Sequence, residues 1–195
     1  MTQLRVFLAS VLGTIALFVL ALWLNEHLFS HSEFVHGINW IYLPAGIRLL
    51  STLLLAEAGA VGLLLVSWGV NFAYFFPHDP DRAIVGGFIS SAVPYLIYKA
   101  AQYRYGLHAS LSNLTSARLF VLILAYSILD PLALHIWLAW KGQTYLLLDG
   151  FIAMASGNLT GTMLVIYTLK VGLAVASRLL PRPVAPPKAP HSIRQ

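Results

Sequence analysis

The chain of 195 residues contains no cysteine and few charged residues. The absence of cysteine excludes disulfides, cysteine-ligated zinc and thiol catalysis. Charged side chains make up 10% of the sequence, compared with roughly 25% in soluble domains, while 58% of the residues are hydrophobic. A shortage of charge this large predicts that most of the surface faces lipid, in a single membrane domain.

Six apolar segments are long enough to cross about 30 Å of hydrocarbon at roughly 1.5 Å per residue. They comprise residues 4–24, 38–56, 58–76, 83–100, 117–140 and 146–172. The first segment is long for a signal peptide and lacks a small-residue cleavage site, so we interpret it as a retained span. Only residues 56–59 separate the second and third segments, which predicts a tight helical hairpin with Glu57 at its tip.

The distribution of basic residues predicts the orientation of these spans. Lys and Arg collect between the fourth and fifth segments and after the sixth, whereas the first connector, residues 25–37, contains neither. The positive-inside rule therefore places both termini in the cytoplasm. The predicted fold is all-α, with a six-span membrane domain over residues 1–176. Residues 177–195 are predicted to be a proline-rich cytoplasmic tail, in which Pro181–Gln195 is expected to be extended and without a helix, with a proline-motif docking peptide as the alternative.

Polar or amphipathic side chains from five of the predicted spans fall at one level near the middle of the membrane. They are Arg48, Ser67, Trp68, Ser90, Ser91, Asp130 and Asn158. A charge at the bilayer centre costs about 2.5–3.5 kcal/mol, and Arg offers a planar fork that suits a carboxylate. The shared depth therefore predicts that Arg48 and Asp130 approach each other, with Asn158 beside them.

Two interpretations of this polar layer are open from the sequence. The buried charges either fix helix packing, or they line a small cavity, open to the outer side, that binds a small anionic or zwitterionic ligand. Pro44, Pro94 and Pro131 favour the cavity, because each is expected to kink its span. His135 lies about 7.5 Å nearer the outer face than Asp130. It is either a structural histidine or a group that carries a proton or ligates a metal.

Two short motifs lie at the start of the second span and within the sixth. They are Trp40, Pro44 and Gly46, and residues 157–161, Gly-Asn-Leu-Thr-Gly. In order along the chain they resemble the Trp-x-Pro-x-Gly signature and the Gly-Asp-x-x-Gly element of the first class of membrane-associated sensor domains (MASE-type). The resemblance covers residues 15–170 and implies a sensory fold of the bacterial inner membrane. Domains of that family usually precede a cyclic-dinucleotide or histidine-kinase output module, whereas we expect this one to be standalone. Asn158 stands where the family has Asp, and Arg48 is unexpected in the second span.

The sequence thus favours a membrane protein that recognises a small ligand or a membrane state and signals through a partner protein. The predicted ligand-binding residues are Arg48, Asp130, Asn158, Trp40, Trp68, His135 and Ser91, and the predicted structural motif is Pro44, Gly46, Gly157 and Gly161. No catalytic arrangement is recognisable, so we expect no enzymatic activity, cofactor, metal or nucleic-acid partner. Two alternatives are the substrate-binding membrane subunit of a vitamin-type transporter, and a structural assembly factor whose polar layer encloses no cavity.

Overall fold

The computed structural model describes residues 2–107, 111, 113–143 and 147–179, and nearly all of these are helical. The helices are α1 (Thr2–Leu28), α2 (Leu43–Val70), α3 (Pro80–Tyr105), α4 (Ser116–Trp140) and α5 (Leu147–Leu179). Within the described residues, five helices are long and apolar enough to cross a membrane. A short antiparallel hairpin of β1 (Glu33–Val35) and β2 (Ile38–Asn39) connects α1 to α2. The proline-rich part of the predicted tail, from residue 180 onward, lies outside the described residues.

The central element is α2, which packs against α1, α3 and α5, while α4 contacts both α3 and α5. This helix is not straight, because Ala56 has a φ of 49° and a ψ of −121°, outside the helical region. Three residues later, Gly59 lies so close to the Ser51 carbonyl that any side chain there would clash. α2 therefore consists of a first arm, residues 43–55, and a second arm, residues 57–70, which a π-helical turn continues through Asn71–Phe75.

The contacts of the two arms with α1 show that the chain reverses its direction at Ala56. Successive positions of α2 and its π-helical extension contact the end, the middle and again the end of α1; the contacting pairs are Leu43 with Asn25, Arg48 with Phe18, Gly62 with Thr14, and Tyr74 with Glu26. The first arm thus runs antiparallel to α1 and the second arm runs parallel to it. The reversal lies where the short gap between the apolar segments predicts it.

The bundle has two ends, which ion pairs help to define. The hairpin end carries the β1–β2 hairpin, and there Lys141 at the end of α4 lies 2.6 Å from Asp81 at the start of α3. The tip end carries Glu57, whose Oε1 accepts hydrogen bonds from the Lys99 ammonium (2.7 Å) and the Tyr95 hydroxyl (3.1 Å). Exposed pairs of this kind contribute little stability, but they show which helix ends lie together.

The second predicted span does not begin as a helix at residue 38. Residues 38–42 are not helical, and α2 begins at Leu43 with Pro44 in its first turn. Pro44 therefore starts a helix, and the expectation that it kinks one is wrong, because a missing N–H has no effect in the first turn. Irregular backbone inside an apolar bundle needs protein partners, and the Tyr42 amide accordingly donates to the Gly157 carbonyl (3.1 Å).

Two glycines of α5 make room for this irregular segment. A Cβ on Gly157 would clash with the Asn39 carbonyl oxygen, and a Cβ on Gly161 would clash with that of Tyr42. At Gly157 and Gly161, two residues of the predicted structural motif, α5 is therefore in close contact with non-helical backbone. One turn further along α2, Gly46 lies against the Val165 side chain in the same close manner.

The apolar core fills the tip half of the bundle. Its buried members come from the first arm, α3, α4 and the segment between these two helices, and they are Ala45, Leu49, Leu53, Ile97, Tyr98, Ala101, Leu107, Leu122, Ile123 and Tyr126. α5 extends past this core, because its 33 residues measure about 50 Å and residues 167–177 are exposed. The buried charged and amide side chains of the first arm, α4 and α5 lie instead in the hairpin half.

Candidate functional site

A polar cavity of about 50 Å³ lies in the hairpin half of the bundle. Its polar lining includes Arg48, Asn71, Arg82, Ser90, Asp130 and Asn158, which the first arm, the π-helical turn, α3, α4 and α5 contribute. The three residues at the centre of the sequence prediction, Arg48, Asp130 and Asn158, therefore meet at one cavity although they are distant in the chain. We refer to this space as the polar cavity.

Asp130 and Asn158 form the direct contact at this site. The Asn158 side-chain amide donates to Asp130 Oδ2 at 3.0 Å, and the two residues are 1% and 0% exposed. The contact joins α4 to α5 at the level where Gly157 holds the irregular segment before α2. The carboxylate is consequently held by an element that is itself fixed in position by close backbone packing.

Arg48 is buried beside this pair but does not reach it directly. No ion pair within 4.0 Å joins Arg48 to Asp130, both of which the structure describes. The guanidinium carbon instead lies 5.3 Å from the ring centroids of Phe18 and Tyr42. Such cation–π contacts contribute about 0.5–2 kcal/mol. The predicted approach of Arg48 to Asp130 is thus a shared cavity and not a direct ion pair.

Three buried polar atoms of these residues lack a hydrogen-bond partner within the described part of the chain. They are Arg48 Nε, Asp130 Oδ1 and Asn158 Oδ1, which amount to one donor and two acceptors. A buried polar group without a partner costs about 1–3 kcal/mol, and buried polar groups in proteins are normally satisfied. A small polar molecule in the cavity is an arrangement that could satisfy all three atoms.

Ser91 was predicted to bind ligand, but it lies outside the polar cavity. Its hydroxyl donates to the Ala60 carbonyl at 2.8 Å and so ties α3 to the second arm. The preceding residue, Ser90, lines the cavity instead. Depth in the membrane is the same for both serines, but successive helical residues point about 100° apart, and depth alone could not distinguish them.

The two predicted tryptophans do not line the polar cavity either. The Trp68 indole donates to the Ile84 carbonyl at 3.0 Å and its ring packs on Gly87, so it joins the second arm to α3. Trp40 is exposed, and its carbonyl accepts a hydrogen bond from the Thr160 hydroxyl at 2.9 Å. Trp68 therefore has a packing role in this structure, whereas Trp40 provides a backbone contact between the segment before α2 and α5.

His135 lies next to the polar cavity but not in its wall. Its Nδ1 donates to the Pro131 carbonyl at 2.8 Å, one turn earlier in α4. The ring lines a second cavity of about 200 Å³, here called the outer cavity, at the hairpin end. Within the residues that the structure describes, no three His, Asp or Glu side chains are close enough together to hold a metal ion.

Arg82 and Asn71 line the polar cavity and were not predicted. Arg82 was assigned to the loop before the fourth span, whereas the structure places it in the first turn of α3, where its amide donates to the Asp79 side chain (3.0 Å). The Asn71 amide donates to the Ala83 carbonyl at 3.0 Å. One signal was available, because Asn71 is a lone polar residue within the apolar run of residues 69–76.

The five apolar helices around an internal polar cavity indicate a helical membrane protein with a buried polar site. Comparisons with protein-family models, with curated proteins and with solved structures find no match for this chain. The resemblance to the membrane-associated sensor domains therefore stays a prediction from the sequence. The two motifs that carry it lie in contact, because the segment before α2 packs on Gly157 and Gly161.

Proposed function

We propose that this chain is a sensory-type protein of the bacterial inner membrane that recognises a small ligand in the polar cavity and signals through a partner protein. The observation that carries the proposal is the meeting of Arg48, Asp130 and Asn158 at one buried cavity, with a polar atom of each left without a protein partner. Ionisable groups within membrane segments commonly mark functional sites. Arg48 supplies positive charge, Asp130 a counter-charge and Asn158 an orienting hydrogen bond, which suits a small anionic or zwitterionic ligand.

The proposal includes six membrane crossings with both termini in the cytoplasm. The two arms of α2 run in opposite directions, as their contacts with α1 show. α3 runs from the hairpin end to the tip end, where Lys99 contacts Glu57, and α4 runs back to the hairpin end, where Lys141 contacts Asp81. α5 packs beside α4 through the contact of Asn158 with Asp130. The first arm is shorter than a full span, and the irregular residues before it continue the path toward the hairpin end. The basic residues collect at the tip end, which the positive-inside rule assigns to the cytoplasm.

Single cysteines can report these crossings cleanly, because the native sequence has none. We expect Glu57→Cys and Arg5→Cys, both at the tip end, to react with a membrane-impermeant maleimide in inverted membrane vesicles and not in intact spheroplasts. His78→Cys and Gln143→Cys, at the hairpin end, should show the opposite pattern. Labelling of Glu57→Cys and Gln143→Cys from the same side would contradict the six crossings.

Ligand recognition can be tested by native mass spectrometry of the protein released from gentle detergent. We expect a retained small molecule on the native protein and its loss from Asn158→Leu, which keeps the approximate side-chain size but removes the contact with Asp130. Ser91→Ala is the matched control, because Ser91 lies outside the cavity, and it should retain the molecule. Equal retention by Asn158→Leu would show that the molecule binds elsewhere.

A transport role is the second candidate, and the irregular backbone before Leu43 favours it. Unwound backbone next to a helix end contributes to substrate sites in many transporters, and here Asn39 and Tyr42 of the irregular segment line the polar cavity. Co-purification with an ATPase and a coupling subunit would support transport, and co-purification with a kinase or a cyclase would support sensing. A purely structural assembly factor was expected to have no cavity, so the polar cavity counts against that alternative.

A further inference from the structure

The open hydrogen-bonding atoms that Asp130, Asn158 and Arg48 contribute to the polar cavity include more acceptors than donors. Oδ1 of Asp130 and Oδ1 of Asn158 can each accept a hydrogen bond, and Arg48 Nε can donate one, but none of these atoms has a partner within the described part of the chain. The three side chains are buried, with exposed fractions of 0%, 1% and 6% in that order. A molecule that satisfies them must supply at least two N–H or O–H donors and one acceptor.

This requirement excludes a simple anion as the ligand. An ionised carboxylate only accepts hydrogen bonds, so it could bind Arg48 but would leave the Asp130 and Asn158 oxygens open. Its charge would also repel the Asp130 carboxylate within a cavity of about 50 Å³, where little water screens the repulsion. An ammonium group, by contrast, has three N–H donors and no acceptor, so it suits the two open oxygens.

The two open oxygens belong to side chains that are already in contact. The Asn158 amide nitrogen donates to Asp130 Oδ2 at 3.0 Å, which fixes α4 and α5 relative to each other and leaves Oδ1 of each residue unused. Asp130 Oδ1 and Asn158 Oδ1 are here called the acceptor pair. Because the pair is held by a buried contact between two helices, it needs little rearrangement to receive an ammonium group.

The opposite charges of Arg48 and Asp130 lie at one cavity without an ion pair. Neither residue forms one within 4.0 Å among the residues that the structure describes. Arg82 also lines the cavity, but its guanidinium packs on the Phe76 ring at 4.3 Å and has further contacts of its own. Buried charges without a counter-ion are costly. Water or a neutral amide could satisfy the open hydrogen bonds, but only a molecule with both charges gives each residue a counter-ion.

The volume of the polar cavity limits the size of such a molecule. About 50 Å³ has room for about four water-sized groups at roughly 10–15 Å³ each. Glycine is the smallest amino acid, and its covalently bonded atoms overlap, so it is of about this size. The cavity therefore suits an amino acid with little or no side chain.

We infer that the polar cavity binds a small α-amino acid as a zwitterion, with its ammonium group on the acceptor pair and its carboxylate at Arg48. This assignment rests on the proposed function for the biological role of the ligand. It narrows the proposed ligand class from anions and zwitterions to zwitterions alone, and it gives each end of the ligand a protein partner.

The test compares small probes that differ in charge. The full-length protein is purified in detergent and dialysed to equilibrium against radiolabelled glycine, and unlabelled competitors are then added. Acetate carries the carboxylate alone, methylammonium carries the ammonium group alone, and acetamide offers matching donors and an acceptor without charge. Betaine, the trimethylated form of glycine, keeps both charges but has no N–H donor, so it is the control for non-specific effects.

We expect the native protein to bind glycine in a saturable manner. Acetate, methylammonium and acetamide should each displace it about tenfold or more less effectively, because each of them lacks at least one of the two charge-assisted contacts. Betaine should not displace glycine, because it cannot donate to the acceptor pair.

Asp130→Asn tests the acceptor pair directly, since it keeps the side-chain size and removes the negative charge. We expect this variant to bind radiolabelled acetate more tightly than glycine, which reverses the native preference, because the positive charge of Arg48 remains. A residue that only held helices together would not reverse a preference. If Asp130→Asn does not fold, as judged by size-exclusion chromatography, Asn158→Leu replaces it and should weaken glycine about tenfold while leaving acetate unchanged. Ser91→Ala lies outside the cavity and should behave as the native protein.

Several outcomes would overturn this assignment. Absence of saturable glycine binding to the native protein would leave the cavity to water. Acetate as effective as glycine would exclude the ammonium contact, methylammonium as effective would exclude the carboxylate contact, and acetamide as effective would exclude a requirement for charge. Equal displacement by phosphoethanolamine, which carries an ammonium group on a phosphate ester, would assign the site to lipid head groups.

The proposed function fails by a different result. A molecule that is retained in native mass spectrometry and that glycine does not displace would keep ligand recognition and remove the amino acid. Glycine binding to a protein that associates with no partner protein would keep the amino acid and remove the signalling role.

Discussion

Alanine at Gly157 or Gly161 is expected to lower the free energy of unfolding by about 1–3 kcal/mol each, the usual range for overpacking. The added methyl group would overlap a backbone carbonyl oxygen, that of Asn39 for Gly157 and that of Tyr42 for Gly161. Backbone atoms cannot move aside by changing a rotamer, so the irregular segment before α2 or the whole of α5 has to shift. The measurement is unfolding by SDS in mixed micelles, followed by tryptophan fluorescence.

Gly172→Ala is the matched control for these two substitutions. Gly172 lies in the same helix, and a Cβ built on it meets no atom within 4 Å. Alanine has the higher helix propensity, by about 1 kcal/mol, so this variant should be as stable as the native protein or slightly more stable. Gly157→Ala and Gly161→Ala variants as stable as Gly172→Ala would show that the segment before α2 is not held against α5.

The approximate extent of the helices could be predicted, because the length of an apolar run can be counted along the sequence without any knowledge of tertiary contacts. The runs around α1, α3 and α4 are long and contain few charges. The four residues between the second and third apolar segments allow only a tight reversal, and the chain turns at Ala56. The same reasoning fails for residues 38–42. Their composition is as apolar as that of the helical segments, so the sequence predicted a helix. Only the contacts of their backbone with Gly157 and Gly161 make the irregular path favourable.

The sequence predicts how deep the site residues lie in the membrane, but not the direction in which their side chains point. Arg48, Asp130 and Asn158 carry groups that are too costly to leave in lipid, so their shared level implied a shared interior. Ser91 and Trp68 lie at that level too, yet they point toward neighbouring helices, and helix rotation is fixed by packing that a single sequence does not display. Arg82 was missed for the opposite reason, because a position near a predicted loop gave no signal that its side chain reaches inward.

Removal of either charge from the polar cavity is expected to have the second large effect. Breaking a buried charge pair by removing one partner costs about 3–5 kcal/mol, and we expect about 3 kcal/mol for Arg48→Met or Asp130→Asn, because the two groups are more than 4 Å apart. Arg48→Met also removes the contacts with the Phe18 and Tyr42 rings. The free energy of unfolding in mixed micelles measures both losses.

The double variant Arg48→Met/Asp130→Asn separates a packing role of the charges from a role in recognition. Removing both charges leaves neither without a counter-ion, so the double variant should be more stable than the sum of the single losses predicts, by about 1–3 kcal/mol. Retention of the small molecule in native mass spectrometry should be lost from both single variants and should not return in the double variant, because the groups that bind it are absent. Recovery of stability without recovery of binding is the pattern that a ligand site requires.

A double variant that regains both would mean that the charges serve helix packing alone, and strictly additive losses would mean that Arg48 and Asp130 do not interact across the cavity.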